Sequence, residues 1–248
     1  MTEILHEVMP SDLQADAPLP GVRPLSDGHW LCVDEAYAAQ MAYRRALISR
    51  RPQDVIWQAD DAREAVAELY DAALDLLPDI GFTVTATHIM CPDGTRIVRT
   101  EEGALHTLGR VVQEDLCIMQ KKGDEHVLTA AVLCFPASWT LAEKAGRPLS
   151  AIHKPVEEYD ADLSKRVQRL FDGVQAGRPL WRNNMVWYDN PDLFQPRSET
   201  EPHRLVPQYD RAAYRRAERQ CIVRLPKTRA VIFSIHSYLV RNAPASGV

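Results

Sequence analysis

The sequence predicts a mixed α+β fold in which helices flank an antiparallel sheet. Two early stretches place apolar residues at helical spacing, whereas the later part of the chain holds alternating stretches of β-forming residues. Several of these later stretches follow one another across short polar turns, which is typical of hairpins and therefore of antiparallel pairing. The 248 residues, 46% of them hydrophobic, are enough to bury a substantial core.

The N-terminal part is predicted to be an extended arm followed by two helices. Residues 1–28 hold four prolines and no apolar periodicity, so we expect an arm that lies on the domain. The next stretch has Tyr37 and Met41 at helical spacing and predicts the first helix. Arg44 shares their face, where it either reaches past the apolar stripe to water, the interpretation we favour, or points into a pocket. The second helix is predicted over residues 60–77, with one apolar face.

From residue 82 the pattern changes to strands, short helices and turns. We expect a β-rich stretch over 83–87, a helix over 104–114, and a hairpin of 116–120 with 126–135 across a Lys-Lys-Gly-Asp-Glu turn. A short helix follows, opened by Thr140 with Glu143 in its first turn as a capping box. We then expect a longer helix over 160–171, a central strand over 181–188 and a final hairpin of 219–225 with 230–240.

Charge and composition exclude several classes of protein. Lys and Arg number 29 against 34 Asp and Glu, a net charge of −5, so the chain lacks the basic surplus typical of nucleic-acid binding. No apolar run approaches the roughly 20 residues of a membrane span, and the N-terminus does not resemble a signal peptide. The five cysteines include no C-x-x-C pair. We therefore expect a soluble, cytoplasmic protein.

Two histidines are candidate site residues. His153 lies between two predicted helical pieces and just before Pro155, so its imidazole can project towards a sheet face. That position suits an axial haem ligand. The alternative, which the spacing alone favours, is a helix-terminal histidine that bonds a free carbonyl. His236 stands in an apolar strand, where it either lines a pocket or faces solvent.

Charged side chains add further candidates. Glu114 and Asp115 are adjacent carboxylates at a helix-to-strand junction, where one could hold an ammonium group or take a proton, or both form a polar helix end in water. Arg182 lies on the predicted central strand. Arg219 could pair with a carboxylate or a haem propionate, with surface ion pairing as the plainer interpretation. Arg224 lies in an apolar strand, where it needs a partner unless it faces solvent.

Five long stretches carry a resemblance to a known family. They are WLCVDEAYAAQMAYRRALISR from Trp30, LGRVVQEDLC from Leu108, LTAAVLCFPASWTLAEKAGRPLSAIHKPV from Leu128, WRNNMVWYDNPDLFQP from Trp181 and ERQCIVRLPKTRAVIFSIHSYL from Glu218. In order, they cover most of the chain between residues 20 and 240. The sequence resembles the alpha subunit of haem-dependent oxidative N-demethylase, formerly a domain of unknown function.

The resemblance implies a PAS-like fold, an antiparallel sheet with helices on one side that encloses haem b. It implies a monooxygenase-type activity, the oxygen-dependent N-demethylation of a small methylated amine such as dimethylamine, with release of formaldehyde. Electrons would come from NADPH through a separate reductase subunit that carries flavin and iron–sulfur groups. The absence of a nucleotide-binding fingerprint and of a cysteine cluster in this sequence agrees with that division of labour.

The resemblance matches His153, in the IHKPV motif, to the axial ligand of the haem iron. For the other candidates we hypothesise the following roles: Arg219 and His236 are further cofactor-binding residues, Glu114 orients the amine, and Arg182 and Arg224 bind propionates or polarise oxygen.

The resemblance sets the expected domain organisation and the alternatives. We expect an extended arm over 1–28, a single PAS-like haem-binding domain over 29–240 and a tail over 241–248. The alternative function is a haem-PAS gas sensor or haem-binding protein, which needs no amine site. A third possibility is a member that has lost its haem and serves as a scaffold.

Overall fold

The computed structural model describes residues 3–13, 21–26, 28–99, 103–152, 161–202 and 211–242. Within these ranges the strands are β1 (Arg23–Pro24), β2 (Ile56–Gln58), β3 (Thr83–Val84), β4 (His88–Met90), β5 (Arg96–Val98), β6 (Asp115–Lys122), β7 (Glu125–Val132), β8 (Leu180–Tyr188), β9 (Tyr214–Arg224) and β10 (Val231–Arg241). The α-helices are α1 (Tyr37–Arg50), α2 (Pro52–Val55), α3 (Arg63–Leu76), α4 (Ala104–Gly109), α5 (Leu141–Lys144), α6 (Leu149–Ile152) and α7 (Ala161–Gly173). None of these helices combines the length and the apolar character needed to cross a bilayer.

The main sheet has seven strands in the order β1-β8-β9-β10-β6-β7-β2, and every pair in it is antiparallel. The long hairpin of β9 and β10 forms its centre, and a small sheet of β3, β4 and β5 stands apart. Hairpins predicted from the polar turns at 121–125 and 226–229 are both present. The predicted α+β class, with an antiparallel sheet, helices around it and an N-terminal helical region, is therefore confirmed.

Side chains of the sheet form two different faces because neighbours in a strand point in opposite directions. On one face, called here the α1 face, Cys221 and Ile232 share a buried cluster with Met41 of α1. On the other, called here the α7 face, Ile222 shares a buried cluster with Phe171 of α7. Each face of the sheet is thus covered by helices.

Two local predictions were wrong. Arg44 does not reach water: it is fully buried, and its guanidinium donates to Asp115 Oδ1 at 2.6 Å and to the carbonyl oxygen of Glu114 at 2.8 Å. The capping box at Thr140 is absent, because the Thr140 hydroxyl donates to Glu143 Oε2 at 2.7 Å and makes no cap bond with the helix backbone. Arg44 thus binds a carboxylate where water was expected, and Thr140 binds the Glu143 side chain where a backbone amide of the helix was expected.

One predicted helix is shorter than expected, because side-chain hydrogen bonds hold the residues that follow it in another conformation. The helix expected over 104–114 stops at Gly109, and the two polar residues before β6, Gln113 and Glu114, are buried. Gln113 Nε2 donates to Asp34 Oδ1 at 2.8 Å and to Gln40 Oε1 at 3.1 Å. These bonds hold the segment in an extended path from α4 into the sheet.

Candidate functional site

A buried group of polar side chains lies on the α1 face. Five residues form it, called here the His236 cluster: His6, Cys32, Asp34, Glu114 and His236. His236 Nδ1 lies 2.9 Å from Glu114 Oε1, and His236 Nε2 lies 2.9 Å from Asp34 Oδ2. The structure therefore brings together two of the sequence-predicted residues, Glu114 and His236, with three that sequence reasoning missed.

The hydrogen bonds define the protonation of the two histidines. Both nitrogens of His236 face carboxylate oxygens, an arrangement that favours a hydrogen on each ring nitrogen. Its pKa is raised well above the usual value: burial opposes the charge, but interactions with Cys32, Tyr238 and Asp34 outweigh burial. His6 Nδ1 accepts from the amide of Leu239 at 3.2 Å, so its Nε2 carries the hydrogen donated to Asp34 at 2.8 Å.

Glu114 is the most deeply buried carboxylate of the cluster. Its Oε1 accepts from the amide of Cys32 at 2.9 Å and lies 3.4 Å from Cys32 Sγ. Its Oε2 is buried without a hydrogen-bond partner among the described residues, which is costly for an ionised oxygen. Neighbouring Asp115 bonds instead to Arg44 and to the amides of Cys134 and Phe135. The two adjacent carboxylates thus serve different partners, and neither forms a helix end in water.

Arg219 also lies on the α1 face. It is the cross-strand partner of His236, is half-buried, and donates to the carbonyl oxygen of His29 at 2.9 Å. Its guanidinium carbon lies 5.9 Å from the centre of the Trp181 ring. Arg219 is thus the cross-strand neighbour of His236, on the face that also carries Glu114.

Arg182 belongs to a second polar group, on the α7 face. Arg182 Nη1 donates to Gln220 Oε1 at 2.7 Å, and Gln220 Nε2 donates to Glu218 Oε2 at 2.9 Å. Glu218 Oε1 also accepts from the fully buried Arg216 at 3.2 Å. We call these four residues the Glu218 cluster. Sequence reasoning missed Glu218, although it pairs in register with Asn184, two residues after Arg182 and therefore on the same face of β8.

Arg224 lies on the α7 face as well, at the end of helix α7. Its Nε donates to the carbonyl oxygen of Val174 at 3.1 Å, and its Nη2 donates to those of Phe171 and Asp172. These carbonyls belong to or follow the last turn of α7, whose final carbonyl groups have no partner within the helix. Arg224 therefore holds the C-terminal end of α7 against the sheet.

His153 lies outside the described residues. The chain before it is described: α6 ends at Ile152, whose side chain packs on the apolar cluster of the α7 face. Another histidine on that face, His126, is fully buried, with Nδ1 2.8 Å from Gln168 Nε2 and Nε2 unpartnered among the described residues. Burial lowers the pKa of His126. The burial of His126 cannot be predicted from the local sequence, because nothing there shows that α7 covers the hairpin.

Fold and site together define an α+β protein whose antiparallel sheet carries a buried polar cluster on each face. A family model described as haem-dependent oxidative N-demethylase, alpha subunit-like, matches residues 21–243. Because this match spans most of the chain, the chain belongs to that family. The resemblance recognised in the sequence is thereby confirmed.

Proposed function

We propose that this chain is the catalytic subunit of a haem-dependent enzyme that uses oxygen to demethylate a small methylated amine such as dimethylamine. The family match over residues 21–243 carries the proposal. Haem b, when bound, would supply the redox chemistry with oxygen. The words "alpha subunit" in the family description support a separate subunit for electron supply, which we propose to be a reductase with flavin, iron–sulfur and NADPH sites.

The α7 face carries the types of side chain that a haem site needs. Half-buried Leu180 and Phe233 provide apolar surface on the face where half-buried Arg182 provides a guanidinium. An apolar macrocycle with anionic propionates requires this combination. We propose His153, which directly follows α6, as the axial ligand and Arg182 as a propionate partner. Arg224 then acts indirectly, by holding the end of α7.

The substrate requires a carboxylate because a methylated amine is a cation at neutral pH and its desolvation must be offset. Glu218 lies on the α7 face with Arg182, whereas Glu114, the residue chosen from sequence, contacts Cys32 and His236 on the α1 face. We therefore propose that Glu218 orients the ammonium group. Gln220 and Asn184 donate to Glu218 Oε2 and fix the carboxylate in place, and the ammonium group would share it with Arg216, which donates to Oε1.

An assay for formaldehyde separates this function from its alternatives. Haem-loaded protein, supplied with dimethylamine, oxygen and a reductant, is expected to show a Soret band and amine-dependent release of formaldehyde. A Soret band without formaldehyde from any small methylated amine would instead indicate a haem-based sensor or carrier. Failure to bind haem after reconstitution would leave only the haem-free scaffold.

The same preparation tests the proposed ligand. His153→Ala is expected to lose haem or to shift the Soret band strongly, because the axial nitrogen is removed. His126→Ala is the matched control, because His126 is a buried histidine on the α7 face whose Nε2 has no hydrogen-bond partner among the described residues. If His126→Ala loses the band while His153→Ala keeps it, the ligand is His126.

A further inference from the structure

Three side chains of the His236 cluster converge on one point. Cys32 Sγ lies 3.1 Å from His236 Nδ1 and 3.4 Å from Glu114 Oε1, and the last two atoms are 2.9 Å apart. Ligand atoms around a tetrahedral Zn²⁺ lie about 3.3–3.6 Å apart, given metal–ligand bonds of about 2.0–2.3 Å. Small shifts of these side chains would thus place all three atoms at bonding distance from one ion.

The surroundings of His236 match those of a metal-bound histidine. A metal-ligating imidazole usually donates its other N–H to a carboxylate, which fixes the ring and leaves the first nitrogen free for the ion. Here Asp34 Oδ2 lies 2.9 Å from His236 Nε2 and is itself bonded by His6. The nitrogen left to face Cys32 and Glu114 is Nδ1.

Glu114 supplies an independent observation. Its side chain is fully buried, and Oε2 has no hydrogen-bond partner in the described part of the chain. Hydrogen bonds from Cys32 and His236 satisfy only Oε1 of this carboxylate. A cation bound beside Oε1 would compensate the cost of burying the carboxylate.

We propose that Cys32, Glu114 and His236 form a binding site for a divalent transition-metal ion of the Zn²⁺ class, separate from the haem iron. Thiolate, imidazole and carboxylate together favour Zn²⁺ over Mg²⁺ or Ca²⁺, which prefer oxygen ligands. Binding releases two protons, one from the Cys32 thiol and one from His236 Nδ1. Cys32 is half-buried, so the ion can enter from solvent and water can take the fourth position.

The site would fasten the N-terminal segment to the sheet. Cys32 precedes α1, Glu114 precedes β6, and His236 lies in β10. The ion would therefore crosslink three parts of the chain that only folding brings together. Its predicted effect is on stability, and it holds whether or not the proposed demethylase activity is found.

Metal content of haem-loaded protein provides the test. After treatment with a chelator, incubation with Zn²⁺ and desalting, we expect one zinc per chain, counted separately from iron by elemental analysis. Cys32→Ser should weaken zinc binding at least tenfold, and Asp34→Asn about 10- to 100-fold through the orientation of His236. Cys117→Ala, which removes a buried thiol on the α7 face, is the matched control and should retain zinc.

Two further measurements distinguish this site from non-specific binding. Co²⁺ in place of Zn²⁺ should give a thiolate charge-transfer band that Cys32→Ser loses and Cys117→Ala keeps. Zn²⁺ at 100 times its Kd should raise Tm by about 5–10 °C in the wild type and in Cys117→Ala, but not in Cys32→Ser. The proposal is overturned if wild-type protein retains no zinc, or if Cys32→Ser binds it equally well. Loss in His6→Ala but not in Cys32→Ser would place the ion between His6, Asp34 and His236 instead.

Discussion

Arg44 and Arg216 are fully buried, and each guanidinium bonds a carboxylate as well as main-chain carbonyl oxygens. A buried charge is tolerated when it is paired and its remaining donors are satisfied. Arg44 does this with Asp115, whereas Arg216 pairs with Glu218 but leaves its Nε without a hydrogen-bond partner among the described residues. Charged residues are therefore part of the protein interior, and position in an apolar stripe does not predict an apolar role.

At the level of single residues, we predict which carboxylate binds the ammonium group of the proposed substrate. Glu218→Gln should raise KM for dimethylamine by at least about tenfold while the Soret band is retained, because the charge that pairs with the ammonium group is lost. Glu114→Gln should instead lower zinc content. If Glu114→Gln raises KM and Glu218→Gln does not, the assignment made from sequence is right. KM, the Soret band and zinc content of both variants decide between the two.

Sequence alone identified part of this chemistry. Glu114 and His236 were both selected, yet their partners Cys32 and Asp34 were not, because those contacts span between 82 and 204 residues of chain. No local pattern records such pairs. A polar residue in an apolar strand was the available signal, and it indicated that a partner must exist without showing which.

Among the elements, α4 shows how closely the helical layer approaches the sheet. A Cβ atom on Gly109, the last residue of α4, would lie 2.5 Å from Val132 Cγ2 and 2.8 Å from Ile48 Cδ1. Contacts this short do not occur in packed interiors. Glycine is therefore required at Gly109 by the approach of α1 and β7, and the backbone there is not left-handed.

We predict that Gly109→Ala destabilises the protein by about 1–3 kcal/mol, the usual cost of an overpacked core. Gly173→Ala is the matched control, since Gly173 also ends a helix and a Cβ there meets nothing within 4 Å. That change should be neutral or stabilising by up to about 1 kcal/mol. Urea unfolding of both variants makes the comparison, and equal stability of Gly109→Ala and wild type would show that α4 can move away.

Elements with strong local signals were predicted, and those held by distant partners were not. Helix α3 and both hairpins follow from apolar periodicity and turn residues within a short window. Strands β1 and β2 have two and three residues, and they exist because they pair with β8 and β7. Short edge strands of this kind carry too few residues for a pattern to show.

For the whole molecule, the sheet separates the candidate residues into two groups. Glu114, Arg219 and His236 lie on the α1 face, whereas Arg182 and Arg224 lie on the α7 face. The antiparallel sheet was predictable from the order of strands and turns. The division between faces was not, because it depends on the register of β8, β9 and β10, and a shift by one residue would exchange the two groups.

One carboxylate fastens the helical layer to the centre of the sheet. Glu68 of α3 accepts from the amides of Lys227 at 2.6 Å and Thr228 at 2.7 Å, and from the Thr228 hydroxyl at 2.6 Å. These groups form the turn between β9 and β10. Burial alone would raise the pKa of Glu68, but the hydrogen bonds from Thr228 and Lys227 outweigh it, and the pKa is lowered.

The lowered pKa of Glu68 makes stability depend on pH in a defined direction. A carboxylate with a folded pKa below its unfolded value of about 4.3 contributes stability above that pH and loses it as the pH falls through the folded pKa. Glu68→Gln should therefore lower the free energy of unfolding by about 2 kcal/mol at pH 7, the scale of hydrogen bonds to a charged group. Below about pH 4.3 the difference from wild type should shrink.

Thermal unfolding of wild type and Glu68→Gln between pH 7 and pH 3.5 measures this effect, with an expected Tm difference of about 4–8 °C at neutral pH. Asp61→Asn is the control, because the Asp61 carboxylate is exposed and its ion pair with Lys122 should contribute at most about 1 kcal/mol. If Glu68→Gln has the same Tm as the wild type at pH 7, or if its Tm stays equally far below that of the wild type in acid, the turn is held by packing and not by the charge of Glu68.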